Sequence, residues 1–304
     1  MNWFLIAISA PILWAVVNIA DQYIVEKHAK GEHPVGALVL FSSLIGIVVA
    51  LGIGLFTKGL FIFSNATISL LVLAGVLNAI WIMTYLRALE LDEVSSIAAW
   101  FLTAPVFSYV LSYFVLGEQL TKTQLFGGII ILCGALILSL DFTKRKVAFK
   151  TKVGLLMLTS CFLIAVVSVL FKYVAVESSF WQASFWEYAG LGFAGVVLLI
   201  AKPSYRRAFR DMWKTGGTRI LSLNVGSEVV TIVANLLSSF AILLAPITLV
   251  YIVNSYQPVI VLLMTYICTR YFPNIITEQF AFRTLTPKLI AIGVMIVGTV
   301  FIFN

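Results

Sequence analysis

Residues 36–56 read GALVLFSSLIGIVVALGIGLF, twenty-one residues without a charged side chain. At 1.5 Å per residue, a helix of that length covers about 30 Å, the thickness of a bilayer's hydrocarbon core. A helix on the surface of a soluble domain would show a polar face. Here the only polar side chains are Ser42 and Ser43. The run does not alternate apolar and polar residues as a barrel strand would, so it reads as a membrane-crossing α-helix.

The same pattern recurs along the chain. Apolar stretches bounded by charged or turn residues fall at about 3–25, 36–56, 67–88, 95–116, 122–140, 153–175, 182–201, 220–243, 247–269 and 287–303. Composition agrees, with 61% hydrophobic and 11% charged residues in 304 and a mean hydropathy of +1.06. A soluble domain carries roughly 25% charged residues. The expected fold class is therefore all-α integral membrane, with ten transmembrane helices. Met1-Asn2-Trp3 offers no basic segment ahead of the first run, which reads as a span and not a cleaved signal.

The formal charge of +7 suggests nucleic acid only until its distribution is considered. Lys and Arg sit in connectors, without the aromatic-interleaved basic face of a nucleic-acid binder. Lys27 and Lys30, then Lys144 to Lys152, then Lys202 to Arg219, then Arg270, Arg283 and Lys288 all fall on one side of a ten-span chain. The positive-inside rule makes that side cytoplasmic and places both termini outside a cell (inner or plasma) membrane. Cys133, Cys161 and Cys268 lie within apolar runs and read as small buried hydrophobes. His28 and His33 lack a third partner for a metal, and no cofactor is expected.

The halves of the chain correspond. Ala15-Val16-Val17-Asn18 with Tyr23 matches Ala165-Val166-Val167-Ser168 with Tyr173, Phe41 to Gly46 matches Phe185 to Gly190, and Pro105-Val106 matches Pro258-Val259. The order is kept through two units of five helices, expected at residues 1–143 and 150–304. Five is odd, so the second unit enters from the opposite face. The reading is two inverted five-helix repeats, a secondary-transporter design that holds its substrate near the midplane.

Tyr85-Leu86-Arg87-Ala88-Leu89, then Pro105-Val106-Phe107, then Leu116-Gly117-Glu118-Gln119-Leu120, then Gln124, Gly127 and Gly128 resemble the EamA family of the drug/metabolite transporter superfamily. The second half departs from that pattern, since Arg270 falls where Gly117 would and a longer connector surrounds Thr277 and Glu278. The resemblance implies a ten-helix transporter of amino acids, amines or other metabolites, often an exporter. It also implies cytoplasmic termini. The basic residues say otherwise and are followed here; a terminal reporter found in the cytoplasm would overturn that choice. No GxxxxGK[ST] motif is present for nucleotide hydrolysis.

Candidate site residues come from polar stripes. Asn224, Glu228, Thr231, Asn235 and Ser238 are spaced 4, 3, 4 and 3 apart, one face of the eighth span. Facing lipid they would be costly, so they should face the interior. Glu228 lies nine residues past Arg219, about 13 Å into the membrane. It reads as the one carboxylate near the midplane, a candidate for carrying a coupling proton or binding a cationic group. In the third span Asn78, Trp81 and Tyr85 share a face, as do Trp14, Asn18 and Asp21 in the first. Trp100, Tyr251 and Ser255, with Thr248, add aromatic and hydroxyl groups from the fourth and ninth spans. Such a cavity suits an amphipathic or cationic solute. Glu118, beside Gly117 at a span end, reads as a structural turn residue, Lys172 as a snorkelling cation, and Glu187 as ambiguous in exposure.

The expectation is a non-enzymatic secondary transporter, its partners a small-molecule substrate and the lipid bilayer, functional as a monomer. A passive channel or facilitator is the alternative. A lipid-modifying enzyme would need a dense His/Asp/Glu group near an interface, and none is read.

Overall fold

A computed structural model describes residues 2–28, 34–91, 97, 100–139, 151–215, 217–271 and 282–303. Lys30, His33, Asp92, Glu93, Lys144 to Lys150, Thr277 and Glu278 lie outside the described residues, as do the side chains of Asp21, Lys27, His28, Trp213, Lys214, Arg219 and Arg283.

The described residues are helical, with no strand. The helices are α1 (Asn2–His28), α2 (Pro34–Phe56), α3 (Asn65–Leu89), α4 (Ala104–Leu116), α5 (Lys122–Ser139), α6 (Thr151–Ala175), α7 (Phe180–Ala201), α8 (Pro203–Thr215), α9 (Gly217–Leu244), α10 (Ile247–Asn254), α11 (Gln257–Tyr271) and α12 (Phe282–Phe303). Among the described residues, eight segments are long and apolar enough to cross a membrane, and Phe101–Leu116 and Lys122–Ile137 are shorter apolar helices. Large apolar side chains such as Leu5, Val48, Leu55, Phe114 and Ile200 are exposed on the outside of the bundle, the inverse of a soluble core and normal against lipid.

Two helices break at matched prolines. A 3₁₀ turn, Phe101–Thr103, precedes α4 and its Pro105, and a turn at Ser255 and Tyr256 separates α10 from α11 and its Pro258. Proline has no N–H to donate and its ring clashes with the carbonyl four residues back. The ninth apolar run is thus two helices, not one. The Pro203–Thr215 stretch, read from sequence only as a basic connector, is a helix of its own.

Small residues set the crossings. α2 packs along α7, α3 along both α6 and α7, α1 along α9, and α5 along α12. A Cβ added to Gly127 would sit 2.6 Å from the Gly298 carbonyl oxygen; one on Gly75 would collide with the Glu187 carbonyl oxygen. Such close backbone approach is how membrane helices associate without a hydrophobic drive. Gly75→Ala should therefore lower the melting temperature in detergent by several degrees, since overpacking costs about 1–3 kcal/mol. Gly226→Ala, with nothing within 4 Å of its added Cβ, should leave it unchanged or raise it. Equal melting of the two variants would refute the packing argument.

The two chain ends meet. Trp3 stacks on Phe303 at 5.9 Å between ring centroids. At that same end, Gln182 Nε2 donates to the Lys58 and Gly59 carbonyls (3.0 and 3.1 Å) and Trp186 Nε1 to Leu60 (2.8 Å). Gly117, at φ 68°, closes α4 in the left-handed region, where glycine escapes the Cβ penalty. The next residue, Glu118, accepts from the Ile247 N–H at 3.0 Å, satisfying an orphan donor at the start of α10. Its other oxygen lies 2.5 Å from Lys172 Nζ, with both side chains 12% exposed. Lys172 also donates to the Ala245 carbonyl at 2.7 Å. Glu118 is structural, as read. Lys172 does not snorkel; it ties α6 to the connectors before α5 and α10.

Candidate substrate site

Two groups of the polar stripe of α9 find partners on α1 and α2. Asn235 Oδ1 accepts from Trp14 Nε1 of α1 at 3.2 Å. Glu228 Oε2 accepts from Ser42 Oγ of α2 at 3.2 Å. The Tyr188 ring of α7 is buried among them, its hydroxyl beside Asn235 and within electrostatic reach of Glu228 and Glu187.

Glu187 is the residue the sequence left undecided. It is 9% exposed in the middle of the bundle. Asn78 Nδ2 of α3 donates to its Oε1 at 3.2 Å, and Asn78 Oδ1 in turn accepts from Trp81 Nε1. Ser160 Oγ of α6 donates to the Trp81 carbonyl at 3.2 Å. Tyr85 continues the aromatic wall, 6.2 Å from Trp81 and 5.3 Å from Phe101 between ring centroids. On the far side, the Tyr251 hydroxyl meets Ser168 Oγ at 2.6 Å and the Ile164 carbonyl at 3.3 Å, also within electrostatic reach of Glu187.

The structure thus joins Trp14, Asn78, Trp81, Tyr85, Glu228, Asn235 and Tyr251 into one polar and aromatic region. Glu228 is not the only carboxylate there: Glu187 is a second, and the more buried. Other expected residues have local duties. Thr231 bonds back to the Ser227 carbonyl (3.0 Å) and Ser255 to the Tyr251 carbonyl (3.2 Å). Trp100 packs against the cluster around Met157 and Cys161, its carbonyl taking Thr103 Oγ1 at 2.7 Å. Asn224 is half-buried one turn from Glu228, and Asn18 is exposed. Thr248 is buried at the start of α10.

Among the described residues, both ionisable acid groups of this region are carboxylates, walled by indole and phenol rings. That chemistry can hold a cation through opposite charge and ring faces, or exchange a proton. Intramembrane carboxylates facing an interior mark ion or substrate paths.

The family model described as "EamA-like transporter family" matches residues 1–140. That match makes the first 140 of the 304 residues similar to EamA-like transporters. With eight described segments long and apolar enough to cross a membrane, the chain is a multi-pass membrane protein. No curated protein matches the sequence. One solved crystal structure superposes with a TM-score of 0.68 at 15% identity, covering 99% of this chain and 96% of that one; at that identity it shows the fold alone. The likeness in fold extends past the EamA-like segment through the second half.

Three residues of this region escaped the sequence reading, Ser42, Ser160 and Tyr188, and Glu187 was left undecided by it. A signal for Glu187 was present. Ala183, Glu187, Gly190 and Ala194 are spaced 4, 3 and 4 apart and all are buried. Small residues on that stripe mark a close helix contact, so a carboxylate among them faces protein and not lipid.

Proposed function

We propose that this chain is a secondary transporter that moves a small organic solute with a cationic group, an amine or amino acid, outward in exchange for protons. The observation that carries this reading is Glu187 and Glu228 held among Trp14, Trp81 and Tyr188 between helices of both halves. Residues 1–143 and 150–304 act as inverted five-helix repeats, ten crossings in all. Three features support this. The matched breaks before Pro105 and Pro258 recur at equivalent places. The meeting of Trp3 with Phe303 requires an even number of crossings. The packing of α1 on α9 is mirrored by α3 on α6.

The repeats are arranged unequally, as alternating access needs. α3 is packed along α7 through Gly75 and Gly190. By the repeat offsets their counterparts are Glu228 and Gly46. Among the described residues α9 and α2 are not packed alike, and the Ser42–Glu228 hydrogen bond bridges them. In the alternate state α2 closes on α9 and α3 leaves α7. The basic side is cytoplasmic, both termini are outside, and one chain suffices for the path.

Purified protein in proteoliposomes tests this. An imposed proton gradient should drive accumulation of a labelled amine or cationic amino acid, with saturable counterflow. Equilibration without accumulation would make the protein a facilitator. In detergent, the same solute should raise the melting temperature of the wild type; an equal rise in Glu228→Gln would remove Glu228 from the site.

A further inference from the structure

We propose that the cleft where α3, α7 and α8 meet seats an anionic phospholipid, with its phosphate at Arg87 and an acyl chain between α3 and α7. This rests on the membrane-spanning fold and not on the transport reading.

α8 links two membrane spans and so lies at the membrane surface. Its sequence, PSYRRAFRDMWKT, is amphipathic. Tyr205, Ala208 and Phe209 are partly buried, while Arg206, Arg207 and Arg210 are exposed. A basic helix of this kind is drawn to anionic headgroups. Tyr205 anchors it, its ring against Gly36 of α2 so closely that a Cβ there would lie 2.6 Å from it. The Tyr205 hydroxyl accepts from Arg87 Nη2 at 3.1 Å and lies 3.8 Å from Met83 Sδ.

Two hollows adjoin this anchor. A pocket of about 200 Å³ is lined by Val35, Gly36, Arg87, Glu90, Ser204 and Tyr205. Deeper in the membrane, a groove of about 170 Å³ runs between α3 and α7, walled by apolar side chains including Val76, Ile80, Met83, Phe193 and Val197. Val76, Ile80, Met83 and Arg87 are spaced 4, 3 and 4 apart, one stripe of α3. Phe193, Val197 and Ile80 are exposed, so the groove opens on the outer, lipid-facing side of the bundle.

An apolar slot ending at an exposed guanidinium, at headgroup depth, has the order of parts of a phospholipid. Arg87 supplies the planar donor fork that phosphate accepts. Arg206, Arg207 and Arg210, exposed on the helix that Tyr205 anchors, outweigh Asp211 of that helix and Glu90 of the pocket wall, and so favour a net anionic headgroup over a zwitterionic one. A soluble phosphate would use the pocket and leave the groove empty.

Delipidated protein in mild detergent is the test, with phosphatidylglycerol, phosphatidylcholine or inorganic phosphate added at equal concentration. Phosphatidylglycerol should raise the melting temperature by at least about 5 °C and remain bound in native mass spectrometry, with little effect of the other two. The combined variant Arg206→Gln/Arg207→Gln/Arg210→Gln alters exposed side chains and should fold. It should lose most of the shift, and adding Arg87→Gln the rest. Equal shifts from both lipids would overturn the proposal, as would inorganic phosphate matching phosphatidylglycerol. A full shift in the four-arginine variant would overturn it too.

Discussion

Glu187→Gln and Glu228→Gln should each lower proton-driven solute accumulation in proteoliposomes at least tenfold, with folded protein recovered from both. Glutamine keeps the size and the hydrogen bonds that a carboxylate oxygen accepts. At Glu187 the Asn78 bond can persist, and at Glu228 the Ser42 bond. What goes is the ionisable oxygen. A hydrogen bond or ion pair to a charged group is worth roughly 1.5–3 kcal/mol, and 1.4 kcal/mol is about tenfold. The pH profile separates carrier from scaffold. A variant that has lost the proton carrier should show uptake insensitive to pH, whereas a scaffold variant should keep the wild-type profile at lower amplitude. If both single variants transport as wild type does, neither carboxylate acts in coupling. If only Glu187→Gln retains activity but melts lower, Glu187 is a packing residue and Glu228 acts alone.

The second large effect concerns stability. Lys172→Met should destabilise the protein by about 3–5 kcal/mol, the usual result of removing one partner of a buried ion pair. Lys172 contacts Glu118 and the Ala245 carbonyl, and Glu118 also receives the Ile247 N–H. Its loss leaves a carboxylate at 12% exposure without its cation and frees a carbonyl at the end of α9. The double variant Lys172→Met/Glu118→Gln should recover part of the loss, because glutamine can still accept from Ile247 with no charge to compensate. Thermal unfolding in detergent reads both. A single variant melting with the wild type would mean that the pair contributes nothing.

Much of this was legible without coordinates. Charge-free runs such as residues 36–56 mark helices, because lipid leaves the backbone no partner but itself. Most helix limits agree with those runs to within a few residues; α12 starts earlier, α4 starts only at Ala104 within the run from about 95, and the ninth run divides into α10 and α11. The 4-3-4-3 stripe of α9 pointed to Asn235 and Glu228, and both meet polar partners. The same logic placed Asn78 and Trp81 on one face, and they bond to one another. It did not show that the hydroxyls of Thr231 and Ser255 donate to carbonyls of their own helices. A hydroxyl can always do so, and periodicity does not reveal when it will.

Residues 203–215 show a different limit. Their charges marked the side of the membrane, but charge alone does not tell a loop from a helix. The Tyr205, Ala208 and Phe209 face becomes decisive only when Gly36 and Met83 are seen against it.

The sequence by itself determined the solvent of this protein, its helical class, the order of its apolar segments and the likeness of its first 140 residues to EamA-like transporters. These follow from local patterns read along the chain, since each helix satisfies its own backbone. Which polar groups meet was decided by the tertiary structure alone. Glu187 is 109 residues from Asn78, and Glu118 is 129 from Ile247. One dimension holds the composition of each face but not which face it opposes, and in a bilayer the opposing face decides whether a carboxylate is a strut or part of a site.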